Sequence, residues 1–202
     1  RWDLREMTSS EFALPPQRFF HSALVSPDGR WLASVEATTE VLPNGTNADE
    51  EVRLRELATG RVVFEATGYR SVPAVPVFSP DSSRFVIRSS TRENEAEMYM
   101  TATGERIGDP LRMDGYLSAA SFSADGALLV TCDGTKRVRI WDGIDGAAIR
   151  HFYLDEDRKP LNCPLEGRNT DRISTVSLSE DGHTLMTGSQ LDQTVRVWDV
   201  DT

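Results

Sequence analysis

Cysteine is scarce in this 202-residue sequence, which holds only Cys132 and Cys163. Two thiols cannot build a disulfide scaffold, and no Cys-x-x-Cys or His-rich spacing marks a metal site, so neither metal nor cofactor is expected. Cys132 falls in an apolar run and reads as a small core residue, while Cys163 lies in a polar insert. Positive charge is also in short supply. Lys and Arg number 22 against 32 Asp and Glu, a net charge of −10. Such a chain offers no electrostatic footprint for phosphate backbones or anionic lipid, so neither nucleic acid nor membrane is expected as a partner. No stretch approaches the roughly 18 apolar residues of a membrane-spanning helix. No charged-then-apolar leader opens the chain, and a reduced, cytoplasmic setting is the expectation. Catalytic signatures are missing too: there is no Gly-x-Ser-x-Gly elbow and no Gly-rich phosphate loop with Lys. His21, His151 and His183 are scattered, with no nucleophile or ligand partner near them in sequence. Asn44-Gly45-Thr46 matches a glycosylation acceptor, but such triplets are frequent by chance and no secretory leader accompanies it. The chain is therefore not expected to be an enzyme.

What the sequence does have is repetition. Thr194-Val195-Arg196-Val197-Trp198-Asp199 alternates with a period near two, the pattern of a half-buried strand, and ends on Trp-Asp. Val138-Arg139-Ile140-Trp141-Asp142 repeats it closely. Val52-Arg53-Leu54-Arg55-Glu56 keeps the strand and replaces the Trp-Asp, and Met98-Tyr99-Met100-Thr101 is a weaker copy. A second phrase precedes each strand: Ser26-Pro27-Asp28-Gly29, Ser79-Pro80-Asp81-Ser82, Ser123-Ala124-Asp125-Gly126 and Ser179-Glu180-Asp181-Gly182. The serines are spaced 53, 44 and 56 residues apart. Repeats of about 40–45 residues with four strands each are the mark of a propeller blade. The expected fold is all-β, a β-propeller of four-stranded antiparallel blades with about four repeat units present.

Taken in order, residues 1–19 finish a preceding blade, with an outer strand near Glu11–Leu14. Blades follow at 20–68, 69–115 and 116–153. A charged, proline-containing loop insert occupies 154–172, and a partial blade without its outer strand fills 173–202. A further insert spans Ala37–Glu50. Pro73 and Pro76 fall in the first strand of the second blade, where a missing ladder donor is awkward. The chain begins on Arg1-Trp2-Asp3, inside a repeat, and reads as an excerpt of a larger propeller.

These phrases resemble the WD-repeat family, and the resemblance covers essentially the whole chain. It implies a polar network that pins each blade: a third-strand Trp, a second-strand Ser or Thr, a turn Asp and the His of a Gly-His pair. Trp198, Thr187 and Asp192 stand in the corresponding places of the last unit, and Trp141 does so in the third. In the third unit Thr135 replaces the turn Asp, with Asp133 two residues early. Where the Gly-His pair belongs, ahead of a unit, stand Gly68-Tyr69, Gly115-Tyr116 and Gly167-Arg168-Asn169. The full network is thus not expected in any unit. Arg139 and Arg196 are expected as solvated charges on a sheet face.

The resemblance also implies that the two inserts rise from one rim, together with Tyr69, Tyr116 and Arg168. Aromatics and Arg are common interface anchors, and long loops on rigid scaffolds often carry function. The function so implied is a non-catalytic protein–protein interaction scaffold, with other proteins, peptides or further domains of the same chain as partners. The alternative is a regulatory or sensing propeller attached to a kinase, an NTPase or a protease. An enzymatic propeller with a site in its central channel ranks last, because the inner strands are mostly Ala, Val, Leu, Phe and Ser.

Overall fold

The computed structural model describes residues 2–3, 8–9, 18–38, 50–69, 76–135, 137–153, 173–189 and 193–200. The expected strand near Glu11–Leu14, most of both inserts, Pro73, Cys163, Arg168 and Asp192 lie outside them. All described regular structure is β. A small hairpin joins β1 (Trp2–Asp3) to β2 (Thr8–Ser9). Three four-stranded antiparallel meanders follow. The first holds β3 (Arg18–Val25), β4 (Trp31–Thr38), β5 (Glu50–Glu56) and β6 (Val62–Tyr69). The second holds β7 (Val77–Phe78), β8 (Arg84–Arg88), β9 (Glu95–Met100) and β10 (Arg106–Arg112). The third holds β11 (Leu117–Phe122), β12 (Leu128–Asp133), β13 (Arg137–Asp142) and β14 (Ala148–Tyr153). The last sheet has three described strands, β15 (Ile173–Leu178), β16 (Thr184–Ser189) and β17 (Thr194–Asp199).

The repeated turn phrase sets the register of every sheet. In all four, the serine hydroxyl donates to the Asp Oδ1 two residues on, at 2.5–2.6 Å. The same hydroxyl accepts the backbone N–H five residues on, from Trp31, Arg84, Leu128 and Thr184, at 2.9–3.0 Å. Glycine closes three of the turns at φ 72–74°, in the left-handed region, where the lack of a Cβ removes the steric cost. Ser82 takes that place in the second sheet at φ 61°, and its Oγ accepts the N–H of Asp28 at 3.0 Å, tying the first two sheets together. The inner strands β3, β11 and β15 each shift register near the residue five before the turn serine. There Ser118 and Ser174 donate to the Cys132 and Gly188 carbonyls. A bulge at one repeated place bends each inner strand alike. In the second sheet the described part of the inner strand is β7, Val77–Phe78, directly after Pro76, which cannot donate to a ladder.

Alternation sends odd and even residues to opposite faces, so apolar sets on facing sheets pack against each other. Trp31, Val35, Val52 and Leu54 of the first sheet meet Phe78, Phe85 and Ile87 of the second. Val86, Met98 and Leu111 of the second meet Leu129 and Trp141 of the third. Val130, Val138 and Ile140 of the third meet Leu178, Leu185 and Trp198 of the last. The first strands crowd together, β11 beside both β15 and β7. This is the stacked, inward-tapering arrangement of propeller blades. At the outer side the blades need glycine to approach. Gly104, at φ 72°, sits where a Cβ would meet the Val63 carbonyl oxygen at 2.3 Å.

Gly104→Ala therefore combines a left-handed backbone with a clash against a neighbouring blade's main chain. We expect it to destabilise the full chain by about 2 kcal/mol or more. Ile144→Ser, in an exposed turn, should stay within about 0.5 kcal/mol. Urea denaturation of the two variants checks both values.

Candidate interaction rim

Counting from each turn serine places equivalent residues on the face that each blade turns toward its predecessor. The residue eight positions on is Ser34, Ile87, Thr131 or Thr187, and the one ten positions on is Glu36, Ser89, Asp133 or Ser189. Register then pairs Thr131 with Arg139 and Thr187 with Arg196, and Leu129 and Leu185 with the two tryptophans. Trp141 Nε1 donates to Thr131 Oγ1 at 2.9 Å, and Trp198 Nε1 donates to Thr187 Oγ1 at 2.8 Å. Burial makes an unpaired indole N–H or hydroxyl costly, and each supplies the other's need. In the first blade Arg55 takes the tryptophan place and donates from Nη1 to Ser34 Oγ at 2.7 Å.

Asp133 heads a compact network at the rim where the second strand of the third blade turns into its third. Its carboxylate is buried and accepts the Thr135 N–H at 2.9 Å, the Thr135 hydroxyl at 2.5 Å and the Arg137 N–H at 3.2 Å. It also accepts the Asp114 N–H at 3.1 Å and Arg139 Nη1 at 2.7 Å. Arg139 Nη2 reaches Asp114 at 2.9 Å, and Arg137 Nη1 bonds Asp114 as well. Asp133 thus fills the turn role from two residues early, and the register of the hairpin lets it do so. In the first blade Glu36 is the counterpart. It accepts Arg53 Nη1 and Arg55 Nη1, both at 2.5 Å, and the Ser34 hydroxyl at 2.9 Å. Arg53 in turn bonds Glu51 and Glu65. Burial by itself would raise both carboxyls. For Asp133 the Thr135 and Arg139 hydrogen bonds outweigh it, and for Glu36 those from Arg55 and Ser34 do, so both sit below their ordinary range.

The expectation of solvated arginines on the third strands fails. Arg139 is 9 % exposed and Arg196 is 2 % exposed. Both lie between blades, because their alternation puts them on the predecessor-facing side with the tryptophans, and the network around Asp133 holds the Arg139 charge. Tyr69, expected as an interface anchor, is also inside, at 2 % exposure. Its ring joins the core between the first two blades, the Arg88 guanidinium lies 5.8 Å from its centroid, and burial pushes its hydroxyl well above the ordinary phenol range. Tyr116 is half-buried at the rim, its backbone carbonyl accepting the Gly134 N–H at 2.9 Å. Its ring covers Gly134, where any Cβ would meet it at 2.5 Å. Arg168 and Asp192 lie outside the described residues. Sequence reasoning noted Asp133 only as an acid two residues early and missed Glu36 and Thr131 as network members, although the count of eight and ten from the turn serine finds all three.

No cluster of metal-ligating side chains occurs among the described residues, and no described helix is long and apolar enough to cross a membrane. Cys132 is buried, and desolvation pushes its thiol up to about 12.

Against known proteins, the family described as WD domain, G-beta repeat (WD40) matches residues 111–142 and 159–199. WD repeat-containing protein 1 of Xenopus tropicalis is 33 % identical over 107 residues, half of this chain and 17 % of that protein. Its Mus musculus counterpart is 29 % identical over the same length and coverage. This chain therefore spans less than a fifth of those relatives. Among solved structures, U3-55K superposes with a TM-score of 0.63 at 13 % identity, covering 89 % of this chain and 48 % of that one. The WD40 repeats of RRP9 give 0.63 at 14 % identity, covering 89 % and 47 %. At such identities the likeness is one of fold.

Two outcomes test the network. A depressed carboxyl contributes stability above its unfolded pKa, near 3.8 for Asp133, and that contribution is lost as pH falls through the lower folded value. Asp133→Asn should therefore lower stability at pH 7 by about 3 kcal/mol and lose less than the parent on moving to pH 3, as chemical denaturation at both pH values will show. Thr131→Val leaves the Trp141 N–H unpaired and should cost about 1–2 kcal/mol. A double-mutant cycle with Trp141→Phe should recover most of that as coupling.

Proposed function

We propose that this WD40-repeat propeller segment is a non-catalytic scaffold that binds other proteins or peptides through the rim bearing Asp114, Tyr116 and the second-to-third-strand turns. WD repeats support a protein-interaction role in general. The observation that carries the finer reading is the Asp133 network. It fixes Asp114 and Arg137 at the rim in one arrangement, beside Tyr116, and a partner meeting preordered side chains loses less entropy on binding. We assign Arg168 and the inserts at 37–50 and 154–172 to the same rim, on their place in the repeat. The chemistry of this rim is anchoring, with a half-buried aromatic ring flanked by a paired acid and base. The cytoplasm is the setting we assign, on the sequence grounds of scarce cysteine and acidic charge.

A photo-crosslinking test separates this rim from the opposite one. Benzoylphenylalanine placed at Tyr116 in the full chain should capture discrete partners in cells, and the same group at Ile144, on the opposite rim, should not. Equal capture at both positions, or capture at Ile144 alone, would place the interaction elsewhere.

A further inference from the structure

The last strands of the second and third blades do not close on each other as the first strands do. Between β10 and β14 a groove of about 690 Å³ runs along the outer side of the array. Its floor is Arg139 and Trp141, one wall is Pro110 and Arg112, and the other is Ile149 and His151. Two local features of β10 keep it open. Pairing with β9 is interrupted between Ile107 and Leu111, and Pro110 there has no N–H to give. Gly108, at φ 61°, packs so close to the next blade that a Cβ would meet the Asp145 carbonyl oxygen at 2.3 Å, which shuts one end. The other wall, β14, is the outermost described strand of its sheet and, among the described strands, pairs on one side only. Such an edge can accept an extended segment through main-chain hydrogen bonds.

The charge of the lining departs from that of the chain. Overall, acids outnumber bases by ten. Two arginines, Arg112 and Arg139, and one acid, Asp109, line the groove, while a third lining arginine, Arg150, gives its guanidinium to the Val200 carbonyl of the last sheet. The carboxylates that balance these arginines lie behind them. Glu95 is buried and serves two guanidiniums at once, Arg92 at 3.2 Å and Arg112 at 3.4 Å. Asp133, behind Arg139, is buried as well. The side chain of Arg112 is 75 % exposed, so an approaching ligand meets its cation and not the shared acid. Beside it Ile149 stands 55 % exposed, an apolar position that water covers in the absence of a ligand. A cationic groove with an apolar shelf and a strand edge fits one class of occupant.

We infer that the groove between β10 and β14 binds a short, extended, acidic peptide that carries an apolar anchor residue. The peptide adds alongside β14, its carboxylates face Arg112, and its anchor covers Ile149 against Pro110 and Trp141. The inference rests on the scaffold reading and adds a second binding surface, on the outer side of the array, which adjoins the rim through the Arg139–Asp114 ion pair.

The probe is a fluorescein-labelled peptide, Glu-Glu-Leu-Asp-Phe-Glu-Asp-Gly, titrated against the full chain by anisotropy, with a counterpart in which Lys replaces every acid. We expect the acidic peptide to bind in the micromolar range and to weaken as salt is raised. Arg112→Gln, which keeps a donor for Glu95, and Ile149→Glu should each weaken it tenfold or more while leaving the melting temperature nearly unchanged. Arg30→Glu, an exposed control on the first blade, should leave it unmoved. Equal binding of the Lys counterpart, no binding of the acidic peptide, or an affinity indifferent to both groove variants would overturn the inference. The crosslinking at Tyr116 reads a different surface, so failure of the groove leaves that result standing, and failure of the rim leaves the groove to be judged on its own titration.

Discussion

Every blade hangs from one serine hydroxyl. By donating to the turn Asp and accepting the amide five residues on, it fixes where the second strand begins. Since side chains alternate along a strand, a slip of one residue there would send the whole apolar set to the wrong face. The structure repeats this bond pair in four blades with distances that agree within about 0.1 Å. From it follow the positions eight and ten residues on, the bulge five residues before, and the pairing that sets tryptophan beside threonine. The blades differ in nearly everything else, including their loops, their inner-strand length and their polar content. That one short-range constraint survives the variation explains how sheets of such unlike sequence stack with a common geometry.

Much of this was legible because the controlling signals are local. The inner strand Leu117–Phe122, the strand Ile173–Leu178 and the closing strand Thr194–Asp199 could be read to the residue from period-two alternation and turn chemistry. That Pro76 cannot donate to a ladder was legible as well, because a missing N–H acts at one place in the chain. What could not be read was which polar side chains turn inward. Arg139 and Arg196 look like surface charges when each strand is taken alone, and they become buried only when a neighbouring blade covers their face. Tyr69 was misplaced for the same reason. Its position at the end of β6 suggested a rim, yet the stacking of the first two blades draws it beneath Arg88. Burial in a stacked array is a property of pairs of blades, and a single repeat does not contain it.

The third blade gathers a polar network of its own around an acid two residues before the expected place. The residue expected at the turn is Thr135, which cannot serve as an anion. Asp133, at the end of β12, finds donors of its own because the hairpin between β12 and β13 brings Thr135, Arg137 and Arg139 around it. The first blade solves the problem with a longer acid, Glu36, and with Arg55 in place of the indole. Both solutions bury a carboxylate only after surrounding it with donors, which is the condition under which a buried charge is tolerated.

The second blade discards the network altogether. Ile87 occupies the hydroxyl position, Tyr99 the tryptophan position and Ser89 the acid position, and the interface with the first blade becomes aromatic. Phe64, Phe85 and Tyr99 pack with ring centroids 4.6–5.4 Å apart. Offset and edge-on aromatic pairs add to the area they bury, and they carry no desolvation cost to recover. Apolar packing at this position can therefore hold two blades together as well as the charged arrangement does, in line with the general finding that buried ion pairs seldom exceed hydrophobic replacements in stability. It follows that stacking alone does not require Glu36, Asp133 and their arginines. What the charged solution adds is order at the rim, where Asp114 and Arg137 are held by groups that the apolar solution lacks. The distribution of the two chemistries along the chain thus separates blades built to pack from blades that also present a fixed polar surface.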